Sequence, residues 1–194
     1  MSVEYNQQQG GVVNMAAFLP KSQVNGPGLR AVVWVQGCPR RCEGCFNPDM
    51  LEFRKNQLVP VAELAGRILA IEGIEGVTFS GGEPFAQAAA LAVLAELLSD
   101  HGLTIVVFTG YNYQELACAN NPAWQRLLAQ ADLLIAGPYQ IGRPSDRYLC
   151  GSDNQQLIFL TDKLKNHPDI KDAGAHFVEL TIGRTGNIII TGVG

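Results

Sequence analysis

Gly76 to Pro84 reads GVTFSGGEP, a short strand-like run broken by two glycines, an acid and a proline. Val77, Thr78 and Phe79 are β-branched or aromatic, the side chains a pleated surface accommodates best. Gly81 and Gly82 supply a tight turn, and Pro84 suits the first position of a helix. The next segment, AQAAALAVLAELLSDHG, has helical apolar spacing and a closing glycine at Gly102. Strand, turn and helix in that order form the unit from which helix-covered parallel sheets are built.

The unit recurs in both directions. Upstream, AVVWVQ at 31–36 is a buried-strand run ending at Gly37, and Pro60 opens a helix through VAELAGRILAIEG that Gly73 would cap. Downstream, LTIVVFTGY and DLLIAGPY are two more strand-plus-turn segments. Between them, YQELACANNPAWQRLLAQA is helical on either side of a break at Pro122. QQLIFLT is a fifth strand, and HFVELTIGRTGNIIITG reads as a hairpin turning at Thr185-Gly186-Asn187. Strands are therefore expected near 31–36, 76–80, 103–109, 132–136 and 156–161. The predicted fold class is α/β, an open, incomplete (β/α) TIM-like barrel with a C-terminal β-hairpin. It forms one domain over residues 1–194, with 1–11 flexible. A complete eight-unit barrel usually needs about 250 residues, more than this chain has.

Composition narrows the class. The chain is 47% hydrophobic and 16% charged, ordinary for a globular protein. A formal net charge of −4 leaves no electrostatic footprint for nucleic acid or an anionic membrane. The apolar run from Ala88 to Leu98 is too short to span a bilayer and contains Glu96. The start, MSVEYNQQQGG, lacks the basic and apolar regions of a secretory signal. A cytoplasmic protein is expected, and there clustered cysteines bind metal or react more often than they form disulfides.

Such a cluster exists. GCPRRCEGCFNP, Gly37 to Pro48, holds Cys38, Cys42 and Cys45, three of five cysteines, spaced C-x3-C-x2-C after the first predicted strand. Three is one short of a structural zinc site or a fully ligated iron–sulfur cluster. The residues leave three readings open: three plain thiols, zinc completed by Cys118, Cys150 or His101, or a 4Fe–4S cluster with one iron free for an outside ligand. If the strands are parallel, the cysteine loop, SGGEP, TGY and AGPY all lie at the carboxyl edge of the sheet, where such folds place active sites.

C-x3-C-x2-C after one strand and SGGEP after the next resemble the radical S-adenosylmethionine (SAM) superfamily. GPGLRAVVWVQGCPRRCEGCFNP, TGYNYQEL, AGPY and GSDNQQLIFLT further resemble the short activating enzymes of glycyl radical proteins, in particular the anaerobic ribonucleotide reductase activating group with a single 4Fe–4S cluster. The resemblance runs from about Val24 to Thr161. It implies a cluster on Cys38, Cys42 and Cys45, and SAM chelating the open iron through its amino and carboxylate groups. It also implies reductive cleavage of SAM to a 5′-deoxyadenosyl radical. Gly81, Gly82, Glu83 and Pro84 would form the segment that receives the methionyl ammonium, with Thr109 a further SAM contact. The implied hydrogen donor is a glycine of a partner enzyme and the implied electron donor flavodoxin or ferredoxin, with no nucleic acid and no membrane. The alternatives are an enzyme acting on a small molecule or peptide, and a non-catalytic iron–sulfur electron carrier. Three positions depart from the family's usual residues: Phe46 in place of His, Gly44 in place of an aromatic, and Ala136 in place of Asp. These bear on the substrate rather than on the cluster.

Other candidates have plainer readings. Gly26, Pro27, Gly28 and Arg30 form a loop or touch a protein substrate. Arg143, Asp146 and Arg147 are solvated charges or part of a lid. Asn154 and Gln155 cap their own loop, Cys118 is a small core residue, and Cys150 is a loop thiol that could donate hydrogen. Anaerobically reconstituted protein should bind about four irons per chain. Alanine at Cys38, Cys42 or Cys45 should abolish this uptake, measured as iron content and thiolate-to-iron absorbance. Alanine at Cys118 or Cys150 should not, and stoichiometric zinc in place of iron would refute the cluster.

Overall fold

A computed structural model describes residues 11–171, 177–182, 186 and 188–192. The central strand β2 (Arg30–Val35) is buried along its whole length, so its near-continuous apolar run RAVVWV is covered on both faces. Beside it in parallel register run β4 (Gly76–Gly81), β5 (Thr104–Thr109) and β6 (Leu133–Ala136). The connections carry α1 (Val61–Leu69), α2 (Ala88–Ser99), α3 (Tyr113–Ala117) and α4 (Pro122–Gln130). In α1 the buried residues are Val61, Leu64, Ala65 and Ile68, a single stripe at helical spacing. Asn121 starts α4 by accepting the Ala123 and Trp124 amide hydrogens on its side chain, with Pro122 behind it.

Three strands of the seven-stranded sheet are antiparallel to their neighbours, and the expected all-parallel arrangement is corrected accordingly. The order is β3-β1-β2-β4-β5-β6-β7, with β1 Val12–Ser22, β3 Gln57–Pro60 and β7 Gln156–Phe159. The fifth expected strand is thus present as β7 but runs against β6. It returns directly from the loop at the carboxyl edge, with no crossover helix to carry it back. The sequence reading missed β1 and β3. Val13 and Met15 alternate around Asn14 as a strand requires, but Pro20 and the break in register between Leu19 and Ser22 obscure the pattern. β3 is four residues long and ends at Pro60, which serves as the N-cap of α1 rather than its first residue. Gly102, in the left-handed conformation, closes α2 by donating to the Ser99 carbonyl, whereas α1 is capped at Ala70 and the expected cap Gly73, also left-handed, lies in the turn beyond it.

One face of the sheet packs on the helices around Val33, Val35, Phe79, Val107 and Leu134. On the other face Val32 and Trp34 meet Ile189 of a separate hairpin, β8 (Val178–Ile182) with β9 (Ile188–Gly192). The hairpin is tied to the β1–β2 connection by the Ser22 hydroxyl donating to Glu179 (2.6 Å) and Thr191 donating to Asn25 (3.0 Å). Two of its expected turn residues, Thr185 and Asn187, lie outside the described residues, as do residues 1–10. α5 (Pro168–Lys171) precedes the hairpin.

Arg30 joins strand starts at the amino edge. Fully buried, it donates to the hydroxyls of Thr78 and Thr104 and to the carbonyls of Pro27, Val77 and Thr104, at 2.6–3.1 Å. Burial lowers its pKa to about 10, so it stays charged at neutral pH. The loop from Gly26 to Arg30 therefore lies at the opposite edge from the cysteines and serves the sheet. Arg30→Met, which strands three buried carbonyls, should lower the unfolding free energy by about 3 kcal/mol or more. Urea titration measures it, and iron uptake per folded chain should stay unchanged.

Candidate active site

The parallel register of β2, β4, β5 and β6 brings their four following loops to one edge. There the three thiols of Cys38, Cys42 and Cys45 open on a cavity of about 130 Å³. Gly81, Gly82, Glu83, Thr109 and Gly110 line it as well. Cys38 is buried, and burial pushes its thiol pKa up. Cys42 and Cys45 are half-buried, and the Asn47 amide hydrogen points at the Cys45 sulfur (3.4 Å). The base of the loop is closed by Gly37 and Cys38 donating to the carbonyls of Met50 and Leu51.

Gly81 and Gly82 are glycines for a reason the sequence did not reveal. A Cβ on Gly82 would overlap the Gly37 carbonyl oxygen, and one on Gly81 would lie 2.6 Å from the Val35 nitrogen. The turn after β4 is thus packed directly against the root of the cysteine loop. The Gly82 amide hydrogen bonds to the Val35 carbonyl (2.8 Å) and that of Glu83 to the Gly37 carbonyl (2.9 Å). Small size is demanded by the neighbouring strand, with the cavity on the other side.

The Glu83 side chain is fully buried and accepts three hydrogen bonds. One carboxylate oxygen accepts from the Phe85 amide (3.0 Å) and the Thr109 hydroxyl (2.9 Å), and the other accepts from the Gly110 amide (2.8 Å). It therefore straps the turn after β4 to the turn after β5. Desolvation raises its pKa to about 7, against the pull of those donors and of nearby Arg40. Pro84 is buried, begins a short 3-10 turn and is not on the cavity wall. Arg40, between Cys38 and Cys42, lies over the Tyr111 ring (4.8 Å) and pairs with Glu115 (3.2 Å), which also caps α3. The TGYNYQEL segment thus holds the cysteine loop from the β5 side, a role visible only once the loops meet.

The thiol cavity adjoins a larger one of about 500 Å³, and the two share Phe46, Asn47, Ser80, Phe108, Tyr139 and Gln155 in their walls. The larger cavity lies between the sheet, with Trp34 in its wall, and the hairpin, which contributes Ile189 and Thr191. Among the described residues it is lined by no Asp, Glu, Lys, Arg or His. Of these lumen residues the sequence singles out Phe46 and Gln155, and its motifs contain Asn47, Ser80 and Tyr139, whereas Ala17, Phe108 and Ile189 carry only the alternation of strands.

Of the remaining candidates, Cys118 and Cys150 fall outside the site, whereas Gln155 lines both cavities. Cys118 is exposed at the end of α3, which corrects its assignment to the core. Cys150 is buried and lines neither cavity. Gln155 caps its own loop, accepting from Gly151 and Ser152 and donating to the Gly137 carbonyl, while Asn154 donates to the Pro138 carbonyl. Among the described residues no three His, Cys, Asp or Glu side chains gather as a single-ion site. The residues fit the expected cluster: three thiols, one of them desolvated, around a cavity with space left for a further ligand. No helix among the described residues is long and apolar enough to cross a membrane.

The 4Fe–4S single cluster domain family matches residues 24–158. The chain is 32% identical over 162 residues to the anaerobic ribonucleoside-triphosphate reductase-activating protein of Enterobacteria phage T4, covering 80% of this chain and 99% of that one. It is 36% identical over 118 residues to the pyruvate formate-lyase-activating enzyme of Clostridium pasteurianum, covering 58% of this chain and 46% of that one. With the corresponding enzyme of Staphylococcus epidermidis it shares 30% identity over 149 residues, 74% of this chain and 59% of that one. The chain therefore spans about half the length of these two pyruvate formate-lyase-activating enzymes.

Glu83 has a pH signature. Its folded pKa is raised, so the stability it contributes is complete below the ordinary carboxylate value and is lost as pH rises through about 7. In metal-free protein, wild type should lose stability relative to Glu83→Gln between about pH 5 and pH 8. Urea midpoints across that range check this, and a constant difference would contradict it.

Proposed function

This chain belongs to the 4Fe–4S single cluster domain family of the radical SAM superfamily, enzymes with a 4Fe–4S cluster and SAM as cofactors, and from that premise we propose that it installs a glycyl radical on a partner protein. Cys38, Cys42 and Cys45 hold the cluster, leaving one iron for SAM. Once bound, the two cofactors supply reductive cleavage of the sulfonium to methionine and a 5′-deoxyadenosyl radical, with reduced flavodoxin or ferredoxin as the electron source.

The chain's own residues do the rest. Gly81, Gly82 and the main chain of Glu83 stand beside the thiols and receive the methionyl end of SAM. The Glu83 carboxylate, bonded to both, keeps Thr109 and Gly110 on the facing wall. Pro84 acts indirectly, by fixing the buried turn that begins at Glu83. A lumen between the sheet and the hairpin also supports the reading of the domain as an open (β/α) barrel.

The observation that carries the substrate class is that the larger cavity beside the thiols is lined, among the described residues, by uncharged groups. A phosphate or carboxylate buried there would lack an ion-pair partner, at a cost of several kcal/mol. A segment of polypeptide brings a neutral backbone and finds carboxamide and hydroxyl groups, among them Asn25, Asn47 and Ser80. Names of the relatives support the same class, since each is called an activating protein or enzyme of another enzyme. Abstraction from a glycine Cα–H is downhill, because the glycyl radical is stabilised by its flanking amide groups and a primary alkyl radical is not. The lumen also has the volume of a small-molecule site, so an enzyme acting on an uncharged small molecule or peptide is the second reading.

Under anaerobic conditions with SAM, reduced flavodoxin and a glycyl radical protein of the same cell, a doublet electron paramagnetic resonance signal should form. It should vanish when the partner's radical-bearing glycine is replaced by alanine. Deoxyadenosine without any such signal would favour the second reading, and no deoxyadenosine at all would leave an electron carrier.

A further inference from the structure

Cys45 is flanked on both sides by contacts from one loop. A Cβ on Gly44, immediately before it, would come 2.5 Å from the Ile141 Cδ1, so Ile141 occupies the space where a side chain at 44 would stand. Phe46, immediately after it, stacks on Tyr139 with ring centroids 4.6 Å apart, and a Cβ on Gly151 would come 2.7 Å from its ring. Ile141, Tyr139 and Gly151 all belong to the segment from Pro138 to Gly151, after β6.

That segment is closed by its own hydrogen bonds. Gln140 donates to the Ser152 hydroxyl, Asn154 to the Pro138 carbonyl, and Gln155 holds Gly151 and Gly137. Among the described residues no hydrogen bond joins it to Cys38–Phe46. The two loops meet only through apolar side chains. Ile141 and Phe46 are 56% and 54% exposed, with one face against the neighbouring loop and the other in water. The departures at Gly44 and Phe46 are thereby linked: a larger residue at 44 would evict Ile141.

We propose that Ile141 and the Phe46–Tyr139 pair form an apolar cuff on either side of Cys45 that keeps water and dioxygen from that corner of the cluster. The proposal rests on Cys45 being a cluster ligand. Ile141 is a positioning and shielding residue, lining neither cavity. Solvent exposure and outer contacts set both the potential and the lability of iron–sulfur centres. Water admitted at Cys45 stabilises the more negatively charged reduced form and so raises the reduction potential.

The test compares wild type, Ile141→Val and Ile141→Ser, each reconstituted anaerobically with iron and sulfide. All three should bind the same iron. On transfer to aerated buffer, Ile141→Ser should lose its cluster absorbance roughly tenfold faster, the lower end of the effect of removing an outer contact. Its midpoint potential should also rise, while Ile141→Val keeps the wild-type values. Equal decay and potential in Ile141→Ser would overturn the cuff, and so would reduced iron uptake, which would mean that the loop builds the site rather than covers it. A wild-type chain that takes up no iron would overturn the cluster assignment and the cuff with it, a result distinguishable from either of the others.

Discussion

The buried carboxylate of Glu83 is the interaction around which the rest of the site is arranged. Its two oxygens take three donors from two different turns, while its own amide hydrogen bonds to Gly37 at the root of the cysteine loop. Three loops from three adjacent strands are thereby fixed relative to one another by one residue. An unpaired carboxylate in that position would be prohibitive, and the three donors make it tolerable. The raised pKa records what remains of the desolvation cost. A group held this tightly has little freedom to act on a ligand directly, and its effect on chemistry passes through the walls it aligns.

Charge is distributed unevenly along the adjoining cavities. Arg40 and Glu83 stand at the thiol end, each with partners of its own, whereas the lumen is lined by uncharged groups among the described residues. The hairpin β8–β9 forms part of the lumen wall, and it lies beyond residue 158, where the family match ends. The thiol end thus lies within the matched segment, while this part of the lumen wall is contributed by residues outside it.

Much of the architecture was legible in the chain. The strand-turn-helix unit at GVTFSGGEP recurs with recognisable punctuation, and four of the five expected strands are the parallel ones that carry the loops. β7 was placed correctly but not oriented, because an apolar run has no direction until its partner is known. β1 and β3 escaped notice because a short, proline-marked strand derives its stability from pairing rather than from its own pattern. Cys118 was misplaced for a related reason: a small residue in a helical run can face either way, and here it ends α3 in solvent.

The sequence by itself determined which groups stand at the thiol end. Spacing on a loop is a local property, and C-x3-C-x2-C before GGEP states which groups are present and in what order. Only the tertiary structure decided what those groups face. It turned Gly81 and Gly82 toward a neighbouring strand, buried Glu83 as a strap, put Ile141 over Gly44, and enclosed a lumen, lined among the described residues by uncharged groups, between strands and a hairpin far apart in the chain. Those outcomes depend on contacts between segments tens of residues apart, set by packing and the satisfaction of buried polar groups. No local pattern encodes which distant segment will supply the partner.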